Sequence, residues 1–300
     1  MEKYIKHHLM PDTYLGKSSD LHFKKLSEFV GVEISNIDIS TPITNNQVKD
    51  ILSAFAVHSL LVFRNQNLSS ENIVQFSKLF GKLLPHIVDE FNHENVIVLS
   101  NMIDKKGNNL GADRSGMQWH SDGSFREKPN MGSLLYGVNC PDIGANTEFS
   151  STYAAFDSLD KIKKEQLSIL LGIHDYSWYW TKYQSSRPPL TIQEKQQTPP
   201  VTHPILRTHP VTGWNTTYVS ECVTSGIEGM DENIGRKLVM EISDFSTQNK
   251  FRYSHKWLKG DLLFWDNRSV IHRATEFDNK YDRLMLRTSV RGQKPYFSGL

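Results

Sequence analysis

The sequence has only two cysteines, Cys140 and Cys222, and neither belongs to a CxxC pair. That excludes a disulfide framework and a thiolate zinc knuckle, and it fits a reducing compartment or simple burial. Charge of one sign is equally absent: 34 Lys and Arg stand against 33 Asp and Glu, with no block of like charge. A polyanion such as nucleic acid would find no complementary field, so none is expected as a partner. No apolar run approaches the roughly 18 residues of a transmembrane helix, and the first residues lack the apolar core of a secretory signal. A cytoplasmic location is expected. No internal repeat is visible, and the one biased stretch is polar and proline-containing, Gln184 to Pro200.

What is present is enough apolar residue for a buried core, 38% of the chain, in a length that suits one large domain spanning 1–300. Two segments carry helical periodicity. In residues 44–58 it places Val48, Ile51, Leu52 and Phe55 on one face, and in 69–81 Ile73, Phe76, Leu79 and Phe80, with Gly81 as a stop. Around them lie short β-like runs at 60–63, 95–100, 132–138, 216–220, 261–266 and 283–290. Many short strands with few helices predict an antiparallel sandwich or barrel with flanking helices. The 184–200 stretch reads as a long loop. It follows the aromatic cluster Tyr176 to Trp180, so the region 176–200 is a candidate lid or a surface excursion.

The chemistry begins at "QWHSDGSF". On extended backbone His120 and Asp122 face the same side and can present a nitrogen and an oxygen to one point as a metal half-site; the alternative is an ordinary turn. His272, in "VIHRAT", follows a strand-like run far along the chain. Two histidines and a carboxylate form the facial triad that binds Fe(II) and leaves coordination positions open. In "RLMLRTSVRG", period two puts Arg283, Met285, Arg287 and Ser289 on one face, with the two guanidiniums roughly 13 Å apart. Such a pair could hold two carboxylates or sulfonates, or could be a solvated strand face.

Together, HxD, the distal His and an Arg 11 residues later resemble the taurine dioxygenase and 2,4-dichlorophenoxyacetate dioxygenase family of Fe(II)- and 2-oxoglutarate-dependent oxygenases. The resemblance runs from "GVEISNIDIS" through "WHSDGSF", "HPILRTHPVTG" and "FWDNRSVIHRAT" to "RLMLRTSVRG". It implies a double-stranded β-helix (jelly roll), mainly β with flanking helices. It makes His120, Asp122 and His272 the iron ligands and sets Arg283, assisted by Thr147, on the distal carboxylate of 2-oxoglutarate. Arg287 and His86 fall where the taurine enzyme meets its substrate's anionic group. The family often has Gly-Gly-Asp-Thr where this chain has Gly144-Ala145-Asn146-Thr147, which puts the turn before Thr147 in question.

The expected activity is therefore hydroxylation, and possible cleavage, of a small anionic organic substrate with O2 as oxidant and succinate and CO2 as co-products. Sugar acids such as the lipopolysaccharide sugar Kdo are an alternative substrate. A metal- and anion-binding jelly-roll sensor without catalysis is an alternative function. A zinc hydrolase lacks a general base at recognisable spacing. A homo-oligomer is expected, with no motif marking its interface. Trp119 and Trp265 are expected to pack beneath the metal. His203 and His209 read as structural, and His58, His93, His174 and His255 carry no assignment.

Overall fold

A computed structural model describes residues 18–85, 94–112, 116–185 and 187–300. The alternation of apolar residues along the longest strands explains its layers. A seven-stranded sheet runs in the order His22–Lys25, Val32–Ser35, Leu60–Phe63, Leu262–Asp266, Asn130–Asn139, Leu284–Arg291, Ile97–Ser100. Its pairings are antiparallel except between Val32–Ser35 and Leu60–Phe63. Leu61, Phe63, Leu134, Tyr136, Leu262, Phe264 and Val290 face outward to the helices. Leu60, Val62, Leu135, Leu263, Trp265 and Met285 face inward, where they meet Phe149 and Val270.

Phe149 and Val270 belong to a smaller sheet, in which Thr147–Ser151 pairs with Arg252–His255 on one side and Val270–Ala274 on the other. Two sheets, antiparallel apart from that one pair, lie face to face with a shared interior and make the double-stranded β-helix. The outer layer is aromatic. Phe55 stacks on Phe264 at 4.0 Å, and Phe76 and Phe80 close against Phe63 and Phe264. Rings buried this way contribute about 2 kcal/mol each. Gly132 is required beneath them, because a Cβ there would stand 2.6 Å from Phe264 and 2.7 Å from Phe55.

Both predicted helices form, at Asn45–His58 and Ser70–Lys78, and each opens with a capping box, Thr44 with Gln47 and Ser69 with Asn72. Leu52 and Leu79 do not join the buried face; they are 37% and 44% exposed, since the core stripe runs through Ile51, Phe55, Ile73 and Phe76 instead. The expected loop from Gln184 to Pro200 is interrupted by a helix, Ile192–Gln197, capped reciprocally by Thr191 and Glu194. The aromatic cluster before it is also helical, Tyr176–Tyr183. Among the described residues no helix is long and apolar enough to cross a membrane.

Candidate active site

The open end of the β-helix is built by residues that alternate inward from both sheets. From the large sheet come Leu135, Trp265, Arg287 and Ser289, with Arg283 just before the Leu284–Arg291 strand; from the small one come Thr147, His272 and Ala274. They surround a cavity of about 270 Å³. Its outer wall is the turn after His120 and the aromatic helix Tyr176–Tyr183, which contributes Tyr176, Tyr179 and Trp180.

His120 and His272 are brought together by backbone. Each donates its amide to the other's carbonyl, at 3.0 and 2.9 Å, so two segments remote in the sequence form a single bridge with their rings 4.2 Å apart. Asp122 does not continue that extended segment. It begins a turn, and its amide is held by Asn267 Oδ1 at 3.1 Å. The turn still delivers its carboxylate: Oδ1 lies 3.6 Å from His120 Nε2 and Oδ2 lies 3.8 Å from His272 Nε2. The three potential ligand atoms lie within 4.8 Å of one another, and no other such group of three occurs among the described residues.

Protonation suits a cation. Burial opposes the charge on Asp122, but Arg287 and the two histidines outweigh it and hold the carboxyl well below its usual range. Burial, with His120 nearby, pushes His272 down to about 3, which leaves it neutral with a lone pair to give. His120 Nδ1 lies 2.7 Å from the Gln118 carbonyl, so Nδ1 carries the proton and Nε2 is left as the donor atom.

Asp122 is further positioned by a small network that sequence reasoning missed. Ser133 donates to its Oδ2 at 2.7 Å, and Asn267 Nδ2 donates to Ser133 Oγ at 3.1 Å. Asn267 Oδ1 also accepts from Trp265 Nε1. An inward Ser in an apolar strand carries no recognisable signal, whereas Asn267 stands five residues before His272 in a motif already singled out. Ser133→Ala is expected to weaken divalent-metal affinity about 10- to 100-fold while leaving thermal unfolding nearly unchanged; metal titration followed by calorimetry checks both.

Thr147 and Arg283 both reach the cavity. Thr147 Oγ1 accepts from Trp257 Nε1 at 2.9 Å, which leaves its own proton to donate inward. Arg283 is fixed through its backbone, its amide to Asn101 Oδ1 and its carbonyl to Ser100 Oγ. Arg287 is differently engaged, with Nη1 donating to Asp122 Oδ1 at 3.2 Å. His86 lies outside the described residues.

The turn before Thr147 is formed with Ala145 at φ +52, a left-handed conformation that glycine takes at no cost. Ala145→Gly is expected to stabilise the fold by about 0.5–1 kcal/mol, a rise of roughly 1–2 °C in Tm by calorimetry.

Other expectations divide. Trp265 packs on His272 at 4.8 Å, but Trp119 lies under the guanidiniums of Arg252 and Arg273, away from the cavity. His209 is buried against Asp266 and His203 bonds to the Arg126 carbonyl, both structural contacts. His174 and His255 are buried too, His255 on Asp261, and His93 lies outside the described residues. Cys222 lines the cavity, yet burial raises its thiol far above neutrality and keeps it protonated.

This geometry agrees with a family model, taurine catabolism dioxygenase TauD, TfdA family, that matches residues 22–289. The chain belongs to that family. A relative of this TauD, TfdA dioxygenase is the alpha-ketoglutarate-dependent 2,4-dichlorophenoxyacetate dioxygenase of Burkholderia sp. (strain RASC). It is 29% identical over 278 residues, covering 89% of this chain and 92% of the relative. The alkylsulfatase of Acinetobacter baylyi is 24% identical over 287 residues, covering 92% and 86%. Among solved structures, AAD-2 in complex with Mn(II) and N-oxalylglycine superposes with a TM-score of 0.80 at 29% identity, over 93% of this chain and all of that one. A taurine dioxygenase from Burkholderia xenovorans gives 0.78 at 27%, over 93% and 92%. The TauD, TfdA chain described here is a 2-oxoglutarate-dependent dioxygenase.

Proposed function

We propose that His120, Asp122 and His272 hold Fe(II), that Arg283 and Thr147 receive the distal carboxylate of 2-oxoglutarate, and that the enzyme oxidises a small organic anion. The convergence of two imidazole nitrogens and one ionised carboxylate on a single buried cavity carries this reading. That donor set suits non-haem Fe(II), since imidazole and carboxylate from one side leave positions for other ligands. With O2 and 2-oxoglutarate, the bound iron supplies an oxidative decarboxylation to succinate and CO2 that is coupled to hydroxylation of a substrate C–H bond.

The protein's part is orientation and exclusion of water. Ser133 and Asn267 fix the rotamer of Asp122, while the backbone bridge sets the two histidines side by side and the Gln118 carbonyl orients the His120 ring. Among the described residues four guanidiniums, Arg126, Arg187, Arg283 and Arg287, line the cavity against a single carboxylate, Asp122. An anionic cosubstrate and an anionic substrate are favoured by that imbalance, as in the phenoxyacetate and sulfate-ester activities named for the relatives. Among the described residues the lining also offers no second carboxylate to act as the base of a metal hydrolase.

The test is an anaerobic titration of metal-free protein with Fe(II) and then 2-oxoglutarate. A weak visible charge-transfer band is expected, followed in air by succinate release that rises with a substrate anion. Iron binding without a band at saturating 2-oxoglutarate would overturn the cosubstrate assignment.

A further inference from the structure

We propose that Trp257, which does not itself line the cavity, is a positioning residue for the cosubstrate: its indole N–H sets the Thr147 hydroxyl so that the single hydroxyl proton is given to the distal carboxylate of 2-oxoglutarate. This inference rests on the cosubstrate reading above and names the residue that acts from behind it.

Thr147 has little freedom except in its hydroxyl. Its backbone is paired on both sides, with His255 in one neighbouring strand and Ala274 in the other. A β-branched side chain is stiff at χ1. The hydroxyl has one proton to give and two lone pairs to accept with, whereas the indole Nε1 can only donate. At 2.9 Å Trp257 Nε1 therefore occupies a lone pair of Thr147 Oγ1 and leaves the hydroxyl proton for a different partner. Thr147 Oγ1 makes no other hydrogen bond among the described residues, so no protein acceptor turns that proton away from the cavity. An oxygen that already accepts one bond is also polarised into a better donor.

Trp257 can impose this because its own segment is clamped. The side chain is buried, edge-on to His255 with the rings 4.9 Å apart. Gly137 lies against its six-membered ring, where a Cβ would come within 3.4 Å of Cε3. The loop that carries it is closed by Asp261, whose Oδ2 accepts from His255 Nε2 at 3.0 Å, from the Leu258 amide at 2.9 Å and from Arg64 Nη1. Backbone adds two further ties, from the Gly260 amide to the Gly137 carbonyl and from the Gly137 amide to the Asp261 carbonyl. His255 is the strand partner of Thr147, so one carboxylate holds both ends of the Trp257–Thr147 bond. Little ordering is then left for the cosubstrate to impose.

A buried Trp gains stability from any acceptor for its N–H. A bond serving the fold alone would not couple to cosubstrate affinity, and that coupling is what the experiment reads. Wild type, Thr147→Val, Trp257→Phe and the double variant are loaded with Fe(II) under anaerobic conditions, and the 2-oxoglutarate concentration for half-saturation of the charge-transfer band is measured in each. Thr147→Val is expected to raise it about 10- to 100-fold, the loss of a hydrogen bond to a charged group. Trp257→Phe should raise it about 3- to 10-fold, and the double variant should match Thr147→Val within about 2-fold. Fe(II) affinity should be unchanged throughout, and in turnover Trp257→Phe should raise KM for 2-oxoglutarate while kcat at saturation stays at the wild-type value.

Multiplying effects in the double variant, a Trp257→Phe band of wild-type affinity, or weakened Fe(II) binding that accounts for the whole change would overturn the proposal. The wild-type fold offers a second measurement that needs no Trp257 variant. With the six tryptophans labelled with nitrogen-15 and Zn(II) in place of iron, the indole N–H resonance displaced by Thr147→Val should move when 2-oxoglutarate is added to the wild type. A resonance that stays in place at saturating cosubstrate would also overturn it. Absence of the charge-transfer band in the wild type would instead sink the cosubstrate reading on which the proposal rests.

Discussion

Asp122→Ala is expected to reduce succinate formation to the background of protein without metal, with Fe(II) affinity falling in parallel. Among the described residues the substitution takes away the only carboxylate lining the cavity and leaves His120 and the neutral His272 facing Arg287. A divalent cation then meets a net positive site. The local backbone has reason to survive, because the Asn267 Oδ1 contact is to the Asp122 amide and not to its side chain. Circular dichroism of the variant separates loss of the site from loss of the fold. His272→Ala should behave alike, though its ring also packs on Phe149 and Trp265 and its removal costs some stability. Sustained turnover by a folded Asp122→Ala protein would take that residue out of the metal site.

Arg283→Ala is expected to raise the 2-oxoglutarate concentration for half-saturation of the charge-transfer band at least about 30-fold, the low end of the cost of truncating one partner of a buried charge pair. The variant is clean because both backbone groups of Arg283 are tied to Asn101 and Ser100 and do not depend on the guanidinium. Fe(II) binding measured before the cosubstrate is added should be unchanged. A band of normal affinity would mean that another of the cavity arginines takes the distal carboxylate.

The parts of this fold that could be read from the chain are those whose burial is one-sided. "LLVF" and "DLLFWD" are central strands of the large sheet, and their apolar runs leave little choice. The inward face Arg283, Met285, Arg287 and Ser289 follows from period two once the strand is accepted. The small sheet was not legible, because "TEFSS" and "RYSH" are polar runs whose pairing is decided by tertiary contact. The helix Glu232–Ser246 was also missed. Its buried face is Gly235, Val239, Ile242, Ser243 and Ser246, so the apolar stripe is diluted by small residues that let it approach the Thr224–Ile227 strand closely.

At the site, the ligand-type residues were visible through their spacing, but the form of the connection was not. Extended backbone was expected from His120 to Asp122, whereas a turn pinned by Asn267 carries the carboxylate. Arg126, four residues after Asp122, is one Arg in a polar loop until the fold sets it beside the aromatic helix. Side chains that matter through what they face, and not through their neighbours in sequence, leave no periodic trace.

If His120, Asp122 and His272 hold iron as proposed, the backbone bridge between the two histidines also ties metal binding to completion of the chain's folding. Its two halves come from segments about 150 residues apart, so neither the HxD turn nor the distal strand holds a usable site alone. A cation that binds only the joined state adds RT ln(1 + [M]/Kd) to the stability of the whole β-helix. Loss of metal should then be felt as a lower barrier to opening the two sheets as well as a loss of turnover, and the same contact that shapes the chemistry makes iron a late reporter of correct assembly.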